Sequence, residues 1–169
     1  ELHRVKPGDV WAEVGVWKGD FSQPLLNRQP SKLHLIDPWV HQNFPVDDPN
    51  ELRIYCCGQE EMDKVYQGVV DKFAENETVE IHREFSAKAV FPEKYFDWVY
   101  IDGNHSYEEV LADLNHYYPL VKKGGYLCGD DYGWTDVNCS KGPKPAVDYF
   151  VENNNLEIEI KGVQYVIQV

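Results

Sequence analysis

Apolar positions along this chain change their period again and again. In Asp9–Gly15 ("DVWAEVG"), Lys32–Asp37 ("KLHLID"), Thr78–Glu84 ("TVEIHRE"), Trp98–Asp102 ("WVYID") and Gly125–Asp131 ("GYLCGDD") they form short β-like runs bounded by turn-forming residues. Two more runs, "LEIEI" and "VQYVIQV", are separated by Lys161–Gly162. A two-residue connection ending in glycine predicts a hairpin, so these last strands are expected to be antiparallel neighbours. Between the earlier runs the period is helical. From Gly58 to Phe73, the residues Met62, Val65, Tyr66, Val69, Val70 and Phe73 recur at helical spacing, as do Tyr107, Val110, Leu111 and Leu114 further on. Ser106 followed by Glu109 has the spacing of a capping box and marks where the second of these helices starts. Pro119 predicts its end, and Gly124–Gly125 is expected to turn the chain into the next strand. Shorter helices are expected after Gly19 and Pro143. Strands alternating with helices predict one α/β domain over residues 1–169, with a mainly parallel sheet covered on both faces. The stretch Val40–Leu52 has no period and is rich in Pro, Asp and Asn, which fits either a lid or a plain surface excursion.

Composition narrows the function. The 169 residues suffice for one domain with a real core, and 43% hydrophobic content is that of a globular protein. A net charge of −13 argues against a nucleic-acid partner and against an anionic membrane surface, and is compatible with a cationic ligand or a metal ion. No apolar stretch is long enough to cross a bilayer. No secretory signal is visible, and the sequence begins at Glu1 rather than at a methionine, which leaves room for a preceding piece. Cys56, Cys57, Cys128 and Cys139 form no CxxC pair, so a thiolate zinc site is not expected. Free thiols in a reducing compartment, the cytoplasm, fit them better.

In an open α/β sheet, ligands bind beyond the carboxyl ends of the strands. The five predicted parallel strands end in Glu13-Val14-Gly15, Asp37-Pro38-Trp39, Glu84-Phe85-Ser86, Asp102-Gly103-Asn104-His105 and Asp130-Asp131-Tyr132, and each end carries an acid. The first runs into "EVGVWKGDFS". Its glycines allow a sharp turn and a close approach to a ligand, but the pattern is not G-x-G-x-x-G. Glu13 would repel a pyrophosphate and would suit an ammonium or sulfonium group. Asp37 lies 22 residues after Gly15, a spacing that suits a contact to ribose hydroxyls, although an Asp before Pro38 also suits a turn.

The segments "EVGVWKGDFS", "HLIDPW", "FDWVYIDGNHSYEEVLADL" and "KKGGYLCGDDY" together resemble the class I S-adenosylmethionine-dependent methyltransferases, and within them the macrocin-type small-molecule O-methyltransferases. The resemblance implies a Rossmann-like sheet of seven strands ordered 3-2-1-4-5-7-6, with the last strand antiparallel. It implies that Glu13, Gly15 and Gly19 line the methionine part of the cofactor and that Asp37 takes the ribose. Ser86 would then lie near the adenine, Trp39 would flank it, and Asp102 would also border the cofactor.

Asp102 and the Asp130–Asp131 pair sit at the ends of strands expected to be adjacent, about 4.8 Å apart. Three converging carboxylates repel unless a cation neutralises them, and all-oxygen ligation favours magnesium, calcium or manganese. Alternatively, these acids cap helices or pair with Lys122 or Lys123. In the resembling enzymes these positions hold Mg²⁺, and a histidine matching His105 acts as general base. An aliphatic hydroxyl is a poor nucleophile at neutral pH. A metal stabilises its deprotonated form and an imidazole accepts its proton. Without that context, His105 would be read as a capping or surface residue. His3, His34, His41, His82 and His116 have no such setting. Trp17, Trp39, Phe44, Tyr132 and Trp134 fall near strand ends or the Val40–Leu52 stretch, where they either wall an acceptor pocket or fill the core.

The sequence therefore predicts an S-adenosylmethionine- and Mg²⁺-dependent O-methyltransferase, with Asp102 and His105 catalytic and a small hydroxylated acceptor, a sugar or a diol. A catalytically silent domain of the same fold is the alternative, since only Glu1–Gly8 precede the first strand to cover the cofactor. A nicotinamide-dependent oxidoreductase is disfavoured by Glu13 and by the missing fingerprint.

Overall fold

The computed structural model describes residues 4, 6–41, 58–134 and 142–169. Most of the Val40–Leu52 stretch, together with Cys56, Cys57 and Cys139, lies outside them. The described elements are β1 (Val10–Val14), α1 (Ser22–Leu26), β2 (Lys32–Ile36), α2 (Gln59–Phe73), β3 (Val79–His82), β4 (Phe96–Ile101), α3 (Tyr107–Tyr117), β5 (Val121–Gly129), α4 (Pro143–Asn154), β6 (Ile158–Lys161) and β7 (Gln164–Gln168). Single 3-10 turns occupy Ser86–Lys88 and Tyr118–Leu120. The strands form one seven-stranded sheet ordered β3-β2-β1-β4-β5-β7-β6. β1 to β5 pair in parallel, and β7 runs antiparallel to both β5 and β6. This is the predicted topology, hairpin included.

Period-2 alternation sorts the strand residues onto two faces. Trp11, Leu33, Leu35, Trp98 and Tyr100 face the side covered by Leu25, Met62, Val69 and Phe73 of α1 and α2. Ala12, Val14, Ile36, Val99 and Ile101 face the other side, with Val110, Leu114 and Tyr117 of α3 and Ala146, Val147 and Phe150 of α4. The central strands are buried on both faces, which is why they read as continuous apolar runs.

Local signals explain the boundaries. Ser106 Oγ accepts the Glu109 N–H at 3.4 Å and so caps α3. The reciprocal half of the predicted capping box is made by a different residue: the Ser106 N–H donates to Asn104 Oδ1 at 2.8 Å. Pro119 sits inside the 3-10 turn that ends the helical run. β5 differs from expectation. It starts at Val121 rather than after Gly124–Gly125, and its pairing with β4 shifts register between Phe96 and Trp98. The extra residues form a bulge. Gly124 takes φ +83° within it, and its N–H donates to the Val169 carbonyl at 2.5 Å.

Candidate active site at the carboxyl edge of the sheet

Backbone pairing continues past the strand ends and holds the loops there in register. The Gly15 N–H donates to the Ile36 carbonyl (2.9 Å), Asp102 N–H to Val14 (2.7 Å), Asp37 N–H to His82 (3.1 Å) and Asp130 N–H to Ile101 (3.2 Å). Gly15 has φ +86°, and a Cβ added there would lie 2.0 Å from the Asp102 carbonyl oxygen. Only glycine lets the β1 turn lie directly on the β4 turn. At Gly19, also left-handed at φ +67°, a Cβ would meet the Phe73 ring at 3.0 Å. The Gly19 carbonyl is held by Lys72 Nζ at 2.7 Å.

Glu13 is 2% exposed, and its Oε2 accepts the Ser22 hydroxyl at 2.5 Å. Burial pushes its carboxyl up to about 8; the Ser22 hydrogen bond opposes this, while the charges of Asp102 and Asp37 add to it. Asp37 is occupied by the loop it was expected to accompany. Its Oδ2 accepts the Val16 and Trp17 N–H groups, each at 3.0 Å, and its Oδ1 accepts the Trp39 N–H at 2.7 Å. The last bond spans Pro38 and makes the turn that the sequence offered as the second reading of Asp37. Burial raises its pKa in spite of these amides.

Trp39 corrects an expectation. It is fully buried, its Nε1–H donates to the Trp17 carbonyl at 2.8 Å, and its ring packs against Tyr66. It props the glycine turn from the core and leaves no ring face open for an adenine. Ser86 is likewise engaged: its hydroxyl donates to Asp113 Oδ1, and its carbonyl accepts the Tyr117 hydroxyl at 3.2 Å. The exposed aromatic at this strand end is Phe85, at 49%.

The carboxylates of β4 and β5 sort differently from the prediction. Asp130 does not join Asp102. Its Oδ2 accepts the buried Tyr100 hydroxyl at 2.9 Å, and its Oδ1 accepts the Asp131 N–H at 2.9 Å. Successive residues point to opposite sides of an extended strand, so two adjacent aspartates cannot both aim at one point unless the backbone turns. The turn falls at Asp131, whose φ is +53°. Asp131 Oδ2 lies 3.3 Å from His105 Nε2, and Asp102 Oδ1 lies 3.7 Å from it. Asp102, His105 and Asp131 thus offer one ligand atom each, all within 4.8 Å of one another. His105 Nε2 is buried and makes no hydrogen bond of ordinary geometry. Burial opposes protonation of His105, but Asp102, Asp131 and Asp130 outweigh it and hold its pKa above the ordinary histidine value. Burial raises Asp131, His105 lowers it, and Asp130 and Asp102 add to the rise. The Trp134 ring stands 5.1 Å from the His105 ring. Tyr132 instead donates its hydroxyl to Asp148 Oδ1 of α4 at 2.6 Å.

Asp113 was missed by sequence reasoning. It is 3% exposed on α3, holds Ser86, and is pushed up to about 6 by burial. A signal for it exists: with Val110, Leu114 and Tyr117 it sits on the apolar stripe of the helix, where an acid must find a partner.

A sheet ordered 3-2-1-4-5-7-6, with a glycine turn after β1 and acids along its carboxyl edge, defines the architecture of S-adenosylmethionine-dependent methyltransferases. The profile of the methyltransferase domain family matches residues 12–132, and the chain belongs to that family. Solved structures share the fold. N-methyltransferase NodS from Bradyrhizobium japonicum, in complex with S-adenosyl-L-homocysteine, superposes with a TM-score of 0.67 over 99% of this chain and 83% of its own, at 12% identity. A SAM-dependent methyltransferase from Aquifex aeolicus does so with a TM-score of 0.59 over 96% and 81%, at 17% identity. An uncharacterized protein of Acanthamoeba polyphaga mimivirus is 30% identical over 149 residues, 84% of this chain. The chain spans 59% of the length of that relative.

Proposed function

We propose that this domain transfers a methyl group from S-adenosylmethionine to a hydroxyl of a small molecule, with a divalent cation held at Asp102 and Asp131. The observation that carries the reading is the convergence of Asp102, His105 and Asp131 beside the glycine turn. The donor set fits a cation. Two carboxylates bring oxygen ligands and net negative charge, and the His105 imidazole beside them stays outside the ligand set. Oxygen-rich ligation favours magnesium or manganese. A bound cation would supply electrostatic stabilisation of the deprotonated hydroxyl.

The chain's own residues do the rest. Gly15 and Gly19 let the cofactor's methionine portion approach the backbone. Asp37 supplies the negative surroundings that suit a sulfonium, while Glu13, kept protonated at neutral pH by burial, serves as the acceptor of the Ser22 hydroxyl. Asp37 has a lone-pair position left for a ribose hydroxyl, because three amides occupy three of the roughly four positions on a carboxylate. His105 accepts the proton of the acceptor hydroxyl at Nε2. Trp134, against His105, offers a flat wall to a sugar or diol. Phe85 takes the place beside the adenine that Trp39 cannot fill.

Methyl transfer from labelled S-adenosylmethionine to a panel of sugars and diols, with and without Mg²⁺, tests this. Turnover that needs Mg²⁺ and is abolished by Asp102→Asn is expected. Cofactor binding without transfer to any acceptor would instead favour a silent domain of the same fold.

A further inference from the structure

Among the described residues, a second group of metal-ligand side chains lies away from the active site, at the β2–β3 edge of the sheet. His34 and Glu80 are paired partners across β2 and β3, and His82 follows Glu80 on the same face. His34 Nδ1 lies 2.9 Å from His82 Nε2 and 3.5 Å from Glu80 Oε2. All three ligand atoms fall within 4.8 Å of one another. Two zinc–nitrogen bonds of about 2.0–2.1 Å at a tetrahedral angle separate their ligand atoms by about 3.3 Å, and the two measured separations bracket that value.

The outer partners are those of a ligand set. His34 Nε2 is 3.1 Å from the Tyr95 hydroxyl, and His82 Nδ1 is 3.7 Å from Glu84 Oε1. His34 therefore has a hydrogen-bond partner on its far nitrogen, of the kind that orients a metal-binding imidazole, while Glu84 is an electrostatic neighbour of His82. The facing nitrogens lie 2.9 Å apart and share one proton in a hydrogen bond, a proton that a cation bound between them would replace. Lys32 Nζ holds Glu80 Oε1 at 2.5 Å, which leaves Oε2 turned to His34. Phe91, Tyr95 and Phe96 close the His34 side with their rings. The His82 and Glu80 side chains are 23% and 44% exposed, so an ion has a way in.

We propose that His34, Glu80 and His82 form a zinc site that clamps edge strand β3 to β2, independent of the methyl-transfer reaction. Two imidazoles and one carboxylate suit zinc over magnesium or calcium, and water would complete the coordination.

The test uses the untagged chain carrying Asp102→Asn and Asp131→Asn, which removes the active-site group. Zinc is titrated calorimetrically, and cobalt(II) is followed by its visible spectrum. One equivalent of zinc at about 1 µM or tighter, with a cobalt spectrum lacking a thiolate charge-transfer band, is expected. His82→Ala and Glu80→Gln, both partly exposed and checked for folding by circular dichroism, should each weaken binding at least about tenfold. Zinc should raise the melting temperature of the double variant, and that rise should vanish with His82→Ala. No zinc binding, a thiolate band, or unchanged affinity in both ligand variants would overturn the proposal.

Discussion

Replacing Glu13 by glutamine isolates the cost of keeping an acid inside the sheet. Glu13 is 2% exposed, and its carboxyl is raised from 4.5 to about 8 in the folded protein. The folded state then binds the proton more tightly than the unfolded chain. Stability from this group is fully present below 4.5, is lost as the pH rises through the window, and is flat above about 8. At about 1.36 kcal/mol per pKa unit, the loss between pH 5 and pH 8 comes to roughly 3–4 kcal/mol. The substituted amide keeps an acceptor for the Ser22 hydroxyl, which Glu13 now takes at 2.5 Å, and cannot ionise. Urea denaturation of both proteins at several pH values between about 5 and 8 is the assay. Glu13→Gln should match the parent within about 1 kcal/mol near pH 5 and exceed it by about 3 kcal/mol near pH 8. Other titrating groups, Asp113 and His105 among them, contribute to both curves and cancel in the difference. Parallel curves across the range would establish the opposite, that Glu13 ionises as freely in the fold as in the unfolded chain.

Three further outcomes follow from the geometry. Gly15→Ala must place a Cβ against the Asp102 carbonyl at a left-handed φ, so it should cost at least about 2 kcal/mol in chemical denaturation and weaken cofactor binding as well. Asp131→Asn should weaken Mg²⁺ binding in calorimetry at least about tenfold, whereas Asp130→Asn should leave it within a few-fold, since Asp130 is spent on the Tyr100 hydroxyl and the Asp131 amide. Ser86→Ala strips a buried Asp113 of its hydroxyl partner and should cost about 1–3 kcal/mol in thermal or urea unfolding.

Much of the fold could be read from the chain because the signals were local. The switch between a period of two and a helical period located strands and helices, the Lys161–Gly162 connection located the hairpin, and Ser106 located a helix start. The site was legible only as far as strand ends determine it. Asp102, His105 and Asp131 come together because β4 and β5 are neighbours. Which aspartate of the adjacent pair would face the group depended on a left-handed turn at Asp131 and on a hydrogen bond from Tyr100, thirty residues away in sequence. Nothing local encodes either. Trp39 misled for the same reason: an aromatic at a strand end looks alike whether its ring turns outward or, as here, packs on Tyr66 and bonds the Trp17 carbonyl. His34 seemed to lack context because its partners come from β3 and from the segment before β4, which only the sheet order brings beside it.

Everything proposed for the active site rests on the carboxyl edge of this sheet holding S-adenosylmethionine. Calorimetric titration of the full chain with S-adenosylhomocysteine, repeated on Asp37→Asn and Gly15→Ala, is the decisive experiment. One equivalent should bind at a dissociation constant of about 1–100 µM, weakened at least about tenfold by either substitution. Absence of binding by a folded parent chain, or binding untouched by both substitutions, would show that the cofactor does not sit there.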